Sequence, residues 1–203
     1  MKNSTLLERK IESFNSSDEY YTPSEAVEKY IKSSLLSTRY TIWDPTDLSG
    51  KLEIAKIFKK YDYNVFHSGL PVHDLGEGEF EIDFLKELPL IPDDYFIVTN
   101  PPYSKKLAFL KRCMELLEKD FIKGFALLLP ISNLCGVNTG NIWEGLVEKD
   151  YTFSLYPFKR RVNFITSNNK KSANWFDVAW FEIENNLTVK HNGVPRKYIH
   201  WID

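Results

Sequence analysis

The chain has 203 residues, 43% of them apolar and 27% charged, the size and composition of one globular domain with a full core. Its 26 basic and 28 acidic residues give a net charge of −2, which excludes a general polyanion binder and leaves nucleic-acid contact to local basic clusters. No apolar run approaches the roughly 20 residues that cross a bilayer, and Met1 to Glu12 reads as a polar, charged segment instead of a secretory leader. The expected location is therefore the cytoplasm, and no contact with a membrane is expected. Cys113 and Cys135 are too few for a metal cluster, and the four histidines (His67, His73, His191, His200) lack ligand spacing, so no metal is expected. The two cysteines read as small buried apolar side chains of a reduced protein.

Residues 1–19 are polar, with Leu6, Leu7, Ile11 and Phe14 spaced for a short docking helix. Tyr20-Tyr21-Thr22-Pro23-Ser24-Glu25 then opens a helix over Ala26 to Leu36, with Thr22 or Ser24 as cap and Pro23 and Glu25 suited to its first turn. Thr41 to Pro45 predicts the first central strand, ending in Asp44 and Pro45. Leu52 to Lys60 predicts a helix with Leu52, Ala55, Ile57 and Phe58 available to pack. Tyr63 to His67 is a second strand by its β-formers, and Gly69 to Glu79 is loop, with Asp74 on its surface.

The run Tyr95-Phe96-Ile97-Val98-Thr99 reads as a buried strand that stops at Asn100-Pro101-Pro102-Tyr103-Ser104. Neither proline donates a backbone hydrogen bond, and Pro102 restricts Pro101 to extended geometry, so the chain leaves the strand as a stiff loop. Lys105 to Leu117 follows with Leu107, Leu110, Met114 and Leu117 at helical spacing. Strand, rigid polar loop, then helix is where open α/β sheets bind ligands.

The chemistry this loop suits is attack by an exocyclic amine. The Asn100 side-chain carbonyl can accept one amine hydrogen and the Pro101 main-chain carbonyl the other. Two acceptors draw the lone pair out of conjugation with the ring. Tyr103 offers a flat face for a planar substrate, worth about 1–3 kcal/mol per stacked base.

Phe121 to Pro130 predicts a strand buried on both faces, with Ser132, Asn133 and Cys135 in the loop after it. Asn138 to Lys149 reads as a helix and Phe153 to Tyr156 as a strand. Arg161 to Ser172 has loop composition with little to hold it rigid. Trp175 to Ile183 is a last long strand, followed by a turn at Asn185-Asn186, a short strand and an aromatic tail. Lys105-Lys106 with Lys111-Arg112, Lys159-Arg160-Arg161, and Lys170-Lys171 are the clusters that could meet phosphates, each of which alone reads equally as solvated surface.

Asn100-Pro101-Pro102-Tyr103 after an apolar strand resembles the catalytic motif of S-adenosylmethionine-dependent amino-methyltransferases, and the whole chain is most similar to small phage-type adenine-N6 enzymes. The resemblance covers residues 19–183, strongest at 95–106. It implies a Rossmann-like class I methyltransferase fold, α/β, with a mostly parallel seven-stranded sheet and helices on both faces, as a single domain over 1–203 with no separate target-recognition domain. It implies S-adenosylmethionine as methyl donor and nucleic acid, DNA before RNA, as substrate, in the host cytoplasm if the chain is phage-encoded. Catalysis would fall to Asn100, Pro101, Pro102 and Tyr103.

Cofactor contacts carried over from the motif are Tyr21-Thr22-Pro23, Asp44 and Pro45, Asn100, and Asp83 within Glu81 to Leu85, with Asp74 its rival. Substrate contacts are Tyr103, Ser104, Lys105 and Phe164, the last packing on the target base opposite Tyr103. Two departures stand out. The turn Asp44 to Gly50 holds one glycine where the family pattern has more, and His67-Ser68-Gly69 replaces the expected acid after the second strand. Protein-glutamine methylation shares the four letters, and a non-catalytic module on the same fold would fit the altered turn. Nucleotidyl transfer would want a metal-binding acid pair beside a basic phosphate loop.

Overall fold

Alternation of side chains along seven strands builds a sheet with two apolar faces, and helices cover both. The computed structural model describes residues 20–47, 52–70, 81–89, 94–147, 149, 151–166, 171–172, 177–185 and 197–203. The elements in chain order are β1 (Tyr20–Tyr21), α1 (Ser24–Ser33), β2 (Thr41–Asp44), α2 (Glu53–Lys60), β3 (Val65–His67), β4 (Tyr95–Thr99) and α3 (Lys106–Glu118). They continue with β5 (Gly124–Pro130), α4 (Val137–Val147), β6 (Tyr151–Pro157), β7 (Phe164–Thr166), β8 (Lys171–Ser172), β9 (Val178–Asn185) and β10 (Lys197–Ile199).

The large sheet has the order β10-β6-β9-β5-β4-β2-β3. Only β9 runs against its neighbours, pairing antiparallel with β5 and β6, while the other pairings are parallel. This is the mostly parallel seven-stranded sheet expected from the sequence. β4 and β5 are buried at every position, which is why both read as unbroken apolar runs.

One face takes Phe96, Val98, Ala126, Leu128 and Trp180 against Ala26, Val27 and Tyr30 of α1 and Ile54 and Phe58 of α2. The other takes Ile97, Phe125, Leu127, Leu129 and Phe181 against Phe109, Leu110, Cys113 and Leu117 of α3 and Leu146 of α4. Period two on the strands and period three to four on the helices thus bury complementary stripes. Within the sheet, Gly124 leaves room for its neighbours on β4 and β9: a Cβ there would lie 2.4 Å from Phe96 Cε2 and 2.6 Å from the Ile183 carbonyl oxygen, so no larger residue fits.

Helix boundaries shift modestly. The first helix starts at Ser24, with Pro23 extended at its N-cap, and ends at Ser33 because Ser34 turns extended with its N–H on the Tyr30 carbonyl. Leu35 is consequently exposed. The stretch expected as a loop over 161–172 contains strand instead. Phe164 to Thr166 pairs antiparallel with Tyr20–Tyr21 on one side and with Lys171–Ser172 on the other, making a second, three-stranded sheet. That partner lies about 145 residues away in sequence, so local composition could not reveal it. Cys113 is buried as expected, but Cys135 is exposed, since the loop after β5 turns it outward. The proposed docking helix within residues 1–19 and Asp74 lie outside the described residues. Among the described residues no helix is long and apolar enough to cross a membrane.

Candidate functional site

Chain order and spatial order part company at one place in the large sheet. From β2 the chain passes through α2 to β3 on one side, then crosses back to β4 on the other side of β2. The connections diverge there, and the switch-point crevice beyond the carboxyl ends of such strands is where parallel α/β sheets bind ligands. Asp44 closes β2 and Asn100 follows β4.

The two strand ends are tied by hydroxyls. Asp44 Oδ1 accepts from the Thr46 N–H at 3.1 Å, from Thr46 Oγ1 at 2.9 Å and from Thr99 Oγ1 at 2.9 Å. Thr46 Oγ1 and Thr99 Oγ1 lie 2.8 Å from each other, so two hydroxyl protons serve three contacts. Asp44 Oδ2 is buried and has no hydrogen-bond donor among the described residues. Burial pushes the Asp44 carboxyl up to about 7; nearby Asp47 adds to the rise, and the hydrogen bonds from Thr46 and Thr99 oppose it. Asp47 is also fully buried, and its Oδ2 accepts the Leu52 N–H at 3.0 Å ahead of α2. Two buried carboxyls lie three residues apart, and Asp44 Oδ2 has no donor among the described residues. A cationic ligand with N–H donors, such as a methionine-derived ammonium and sulfonium, fits that arrangement.

Asp47, Thr46 and Thr99 were not singled out from the sequence. The available signal was the second acid three residues after Asp44 in a turn with one glycine.

Across the crevice, the diproline corner has the stiffness its sequence dictates. Pro101 is buried, and Pro102 is held at φ −52°, ψ 124°. Tyr103 to Lys105 form a single 3-10 turn, closed by the Lys105 N–H on the Pro102 carbonyl at 2.8 Å, which leads directly into α3. Asn100 and Tyr103 are half-buried residues, and their functional atoms, Oδ1 and the hydroxyl, are fully buried. Ser104 and Lys105 are exposed at the rim.

The other expected site residues divide. Tyr21 lies in the small sheet, Thr22 is buried and Pro23 caps α1, so this element is anchored by β7. Pro45 is buried beside Asp44. Asp83 is half-buried and occupied locally: its Oδ2 lies 2.7 Å from Lys86 Nζ, and its Oδ1 accepts the Leu85 N–H at 3.2 Å. The Lys86 hydrogen bond holds the Asp83 carboxyl below the usual range.

Phe164 is wholly buried in the core with Val27, Tyr30 and Val162, and in this conformation offers no open face to a base. Ser68, a candidate stand-in for the missing acid, is buried too, and its Oγ accepts the Trp43 indole N–H at 2.9 Å. Arg112, grouped with the basic clusters, instead staples the turn after Asp83: Nε and Nη2 donate to the carbonyls of Phe84 and Glu87, and Nη1 pairs with Glu115 at 2.8 Å.

No family model matches the chain, and no curated protein matches it. Solved structures do. A Listeria monocytogenes protein assigned to the class I S-adenosylmethionine-dependent methyltransferases aligns at TM-score 0.56 and 14% identity, over 90% of this chain and 65% of that one. A type I restriction-modification methyltransferase subunit from Streptococcus thermophilus aligns at TM-score 0.56 and 18% identity, over 88% of this chain and 48% of that one. DrdV, solved in complex with DNA, aligns at TM-score 0.53 and 13% identity, over 97% of this chain and 29% of that one. The chain thus spans from under a third to about two thirds of the length of these structures. At these identities the likeness is one of fold, and the fold is the Rossmann-like class I methyltransferase fold.

Proposed function

We propose that the chain transfers a methyl group from S-adenosylmethionine to the exocyclic amine of adenine in nucleic acid. The observation that supports this reading is that Asn100-Pro101-Pro102-Tyr103 follows β4 at the switch point, beside β2, which ends in Asp44, whose buried Oδ2 has no donor among the described residues. Fold neighbours that are a restriction-modification methyltransferase subunit and a DNA complex support nucleic acid as the substrate class.

Bound S-adenosylmethionine supplies an electrophilic methyl on a cationic sulfur. Asp44 would hold the cationic end of the cofactor, aided by the field of Asp47, with Pro45, Asp83 and the Tyr21-Thr22-Pro23 element as further contacts. Asn100 Oδ1 and the Pro101 carbonyl accept the two amine hydrogens, turning the nitrogen lone pair toward the methyl carbon. Tyr103 stacks on the base, which has first left its helical stack at a cost of a few kcal/mol. Transfer would form the nitrogen–carbon bond as the carbon–sulfur bond breaks, with the sulfur keeping the electron pair of the broken bond. The methylated nitrogen then sheds a proton to solvent, so no strong base is required. Holding the reacting atoms about 3–3.5 Å apart is the larger part of the work.

The test is incubation with labelled methyl donor and separate DNA, RNA and protein fractions, followed by mass analysis of the nucleosides. Label recovered as N6-methyladenine is the expected result. Label recovered only on protein glutamine, or on no fraction despite cofactor binding, would refute the proposal.

A further inference from the structure

A cleft of about 510 Å³ opens at the start of α1, between Pro23, Glu25 and Lys29 on one side and Lys159, Arg160 and Arg161 on the other, with the exposed Asp203 also lining it. It lies on the same rim of the sheet as the ends of β2 and β4, and it shares Pro23 with the expected cofactor element Tyr21-Thr22-Pro23. The cationic run directly follows β6, which is three strand positions from β4 in the order β4-β5-β9-β6. At about 4.8 Å per strand, that separation is roughly 14 Å.

The wall is unusually positive for a chain of net charge −2. Four cations from two separate elements face one concavity, where low-dielectric walls concentrate their field. Three have counter-ions: Lys29 meets Glu25 at 2.6 Å, Arg161 meets Asp177 at 3.3 Å, and Lys159 pairs with Asp203. Arg160 has no ion pair among the described residues.

Asp203 is the informative member. Its position is fixed by main chain: the Ile202 N–H donates to the Pro157 carbonyl and the Lys159 N–H to the Ile202 carbonyl, both at 2.9 Å. Its carboxyl is held below the usual range first by Lys159, then by the fields of Lys29 and Arg160. Cations from α1 and from the segment after β6 thus line one cleft with Asp203, an anion of the chain's own that pairs with Lys159.

We infer that this cleft takes the phosphodiester backbone of the nucleic acid a few nucleotides from the methylated base, with the Asp203 carboxylate standing at a phosphate position. The inference rests on the nucleic-acid reading above, but it concerns binding and is read separately from transfer. Lys29 and Arg160 reach phosphates from opposite walls, and Asp203 opposes binding until displaced.

The experiment is fluorescence anisotropy with a labelled oligonucleotide, single-stranded and duplex, across a salt series on the full chain. Lys29→Gln with Arg160→Gln should weaken low-salt binding about tenfold or more. The slope of log affinity against log salt should become shallower by about 1.4 on single strands or about 1.8 on duplex, the value reporting which form occupies the cleft. Asp203→Asn should tighten binding at least about threefold, an effect that loss of folding cannot imitate. Asn100→Ala should leave the salt slope unchanged.

Wild-type binding whose affinity and slope are untouched by the cleft variants would overturn the inference while leaving methyl transfer intact. Polyglutamate binding in place of oligonucleotide would overturn it as well. Slope changes in the cleft variants without any methyl transfer would instead retain the cleft and refute the catalytic reading.

Discussion

Asn100→Ala is expected to lower kcat for methyl transfer by about 10²–10³-fold, the usual effect of deleting one hydrogen-bonding group aimed at developing charge. β4 is buried along its whole length, Thr99 is pinned to Asp44, and Pro101 and Pro102 allow the next residues little freedom, so the Asn100 carbonyl is held in place before substrate arrives. An acceptor fixed in this way acts on the amine as it turns pyramidal and becomes positive, so its removal should appear in kcat more than in the KM for nucleic acid. Asn100→Asp keeps an acceptor and should retain much more activity than alanine. Tyr103→Ala removes a stacking face, which should chiefly raise KM, by roughly 5–150-fold for about 1–3 kcal/mol. Steady-state kinetics with labelled methyl donor on all three variants reads the split. Equal losses in Asn100→Ala and Asn100→Asp, with unchanged behaviour in Tyr103→Ala, would mean that the corner does not grip the amine.

Asp44→Asn is expected to change two properties in opposite directions. The substitution keeps the size of the side chain but removes a buried negative charge whose Oδ2 has no donor. Loss of a charge-assisted contact worth about 1.5–3 kcal/mol should weaken S-adenosylmethionine binding about 10–150-fold in calorimetry. The unliganded protein should become more stable at pH 8, because the wild type must carry the desolvated charge there.

The pH dependence follows from the sign of the shift. Burial raises the Asp44 and Glu182 carboxyls to about 7, so between the unfolded carboxylate range and pH 7 the folded protein holds protons that the unfolded chain has released. Their stabilising contribution is complete below the unfolded values and lost as pH rises through about 7. Denaturant unfolding should therefore show a more stable unliganded protein at pH 5 than at pH 8, with the difference roughly halved in Asp44→Asn. Cofactor binding to the wild type should strengthen as pH rises toward 7 and then level off, since the cation needs the ionised carboxylate. A wild-type affinity indifferent to pH, matched by Asp44→Asn, would remove Asp44 from the cofactor site.

Long apolar signals were readable in the sequence because they depend on burial alone. β4 and β5 lie on both-faced core positions, and α2 buries Ile54, Ala55, Ile57 and Phe58 on one side, so each stands out without knowledge of its neighbours. The Asn100 corner was readable for the same reason, since two prolines fix the backbone whatever surrounds them. What depended on distant partners was hidden. β7 becomes a strand only through its pairing with Tyr20–Tyr21 and Lys171–Ser172.

Phe164 illustrates the limit at the level of one side chain. A phenylalanine after Arg161-Val162-Asn163 can face a ligand or the core, and only the packing of α1 against the sheet decides for the core. The same holds for Glu182. Its carboxylate accepts from the hydroxyls of Tyr30 at 2.5 Å and Tyr156 at 3.2 Å, partners 152 and 26 residues away, while its place in β9 reads from sequence as an ordinary outward acid. Asp47 was passed over because an acid in a polar turn is usually solvated; here the start of α2 closes over it.

The central claim is that one crevice, bounded by Asp44 and by the diproline corner, holds the methyl donor against the amine acceptor. A crystal structure of the chain with S-adenosylhomocysteine tests it most directly. The account predicts the ligand's ammonium on the Asp44 carboxylate and its sulfur turned toward Asn100, with the Asp44 hydroxyl contacts retained. Ligand bound away from β2 and β4, or none at saturating concentration, would contradict it.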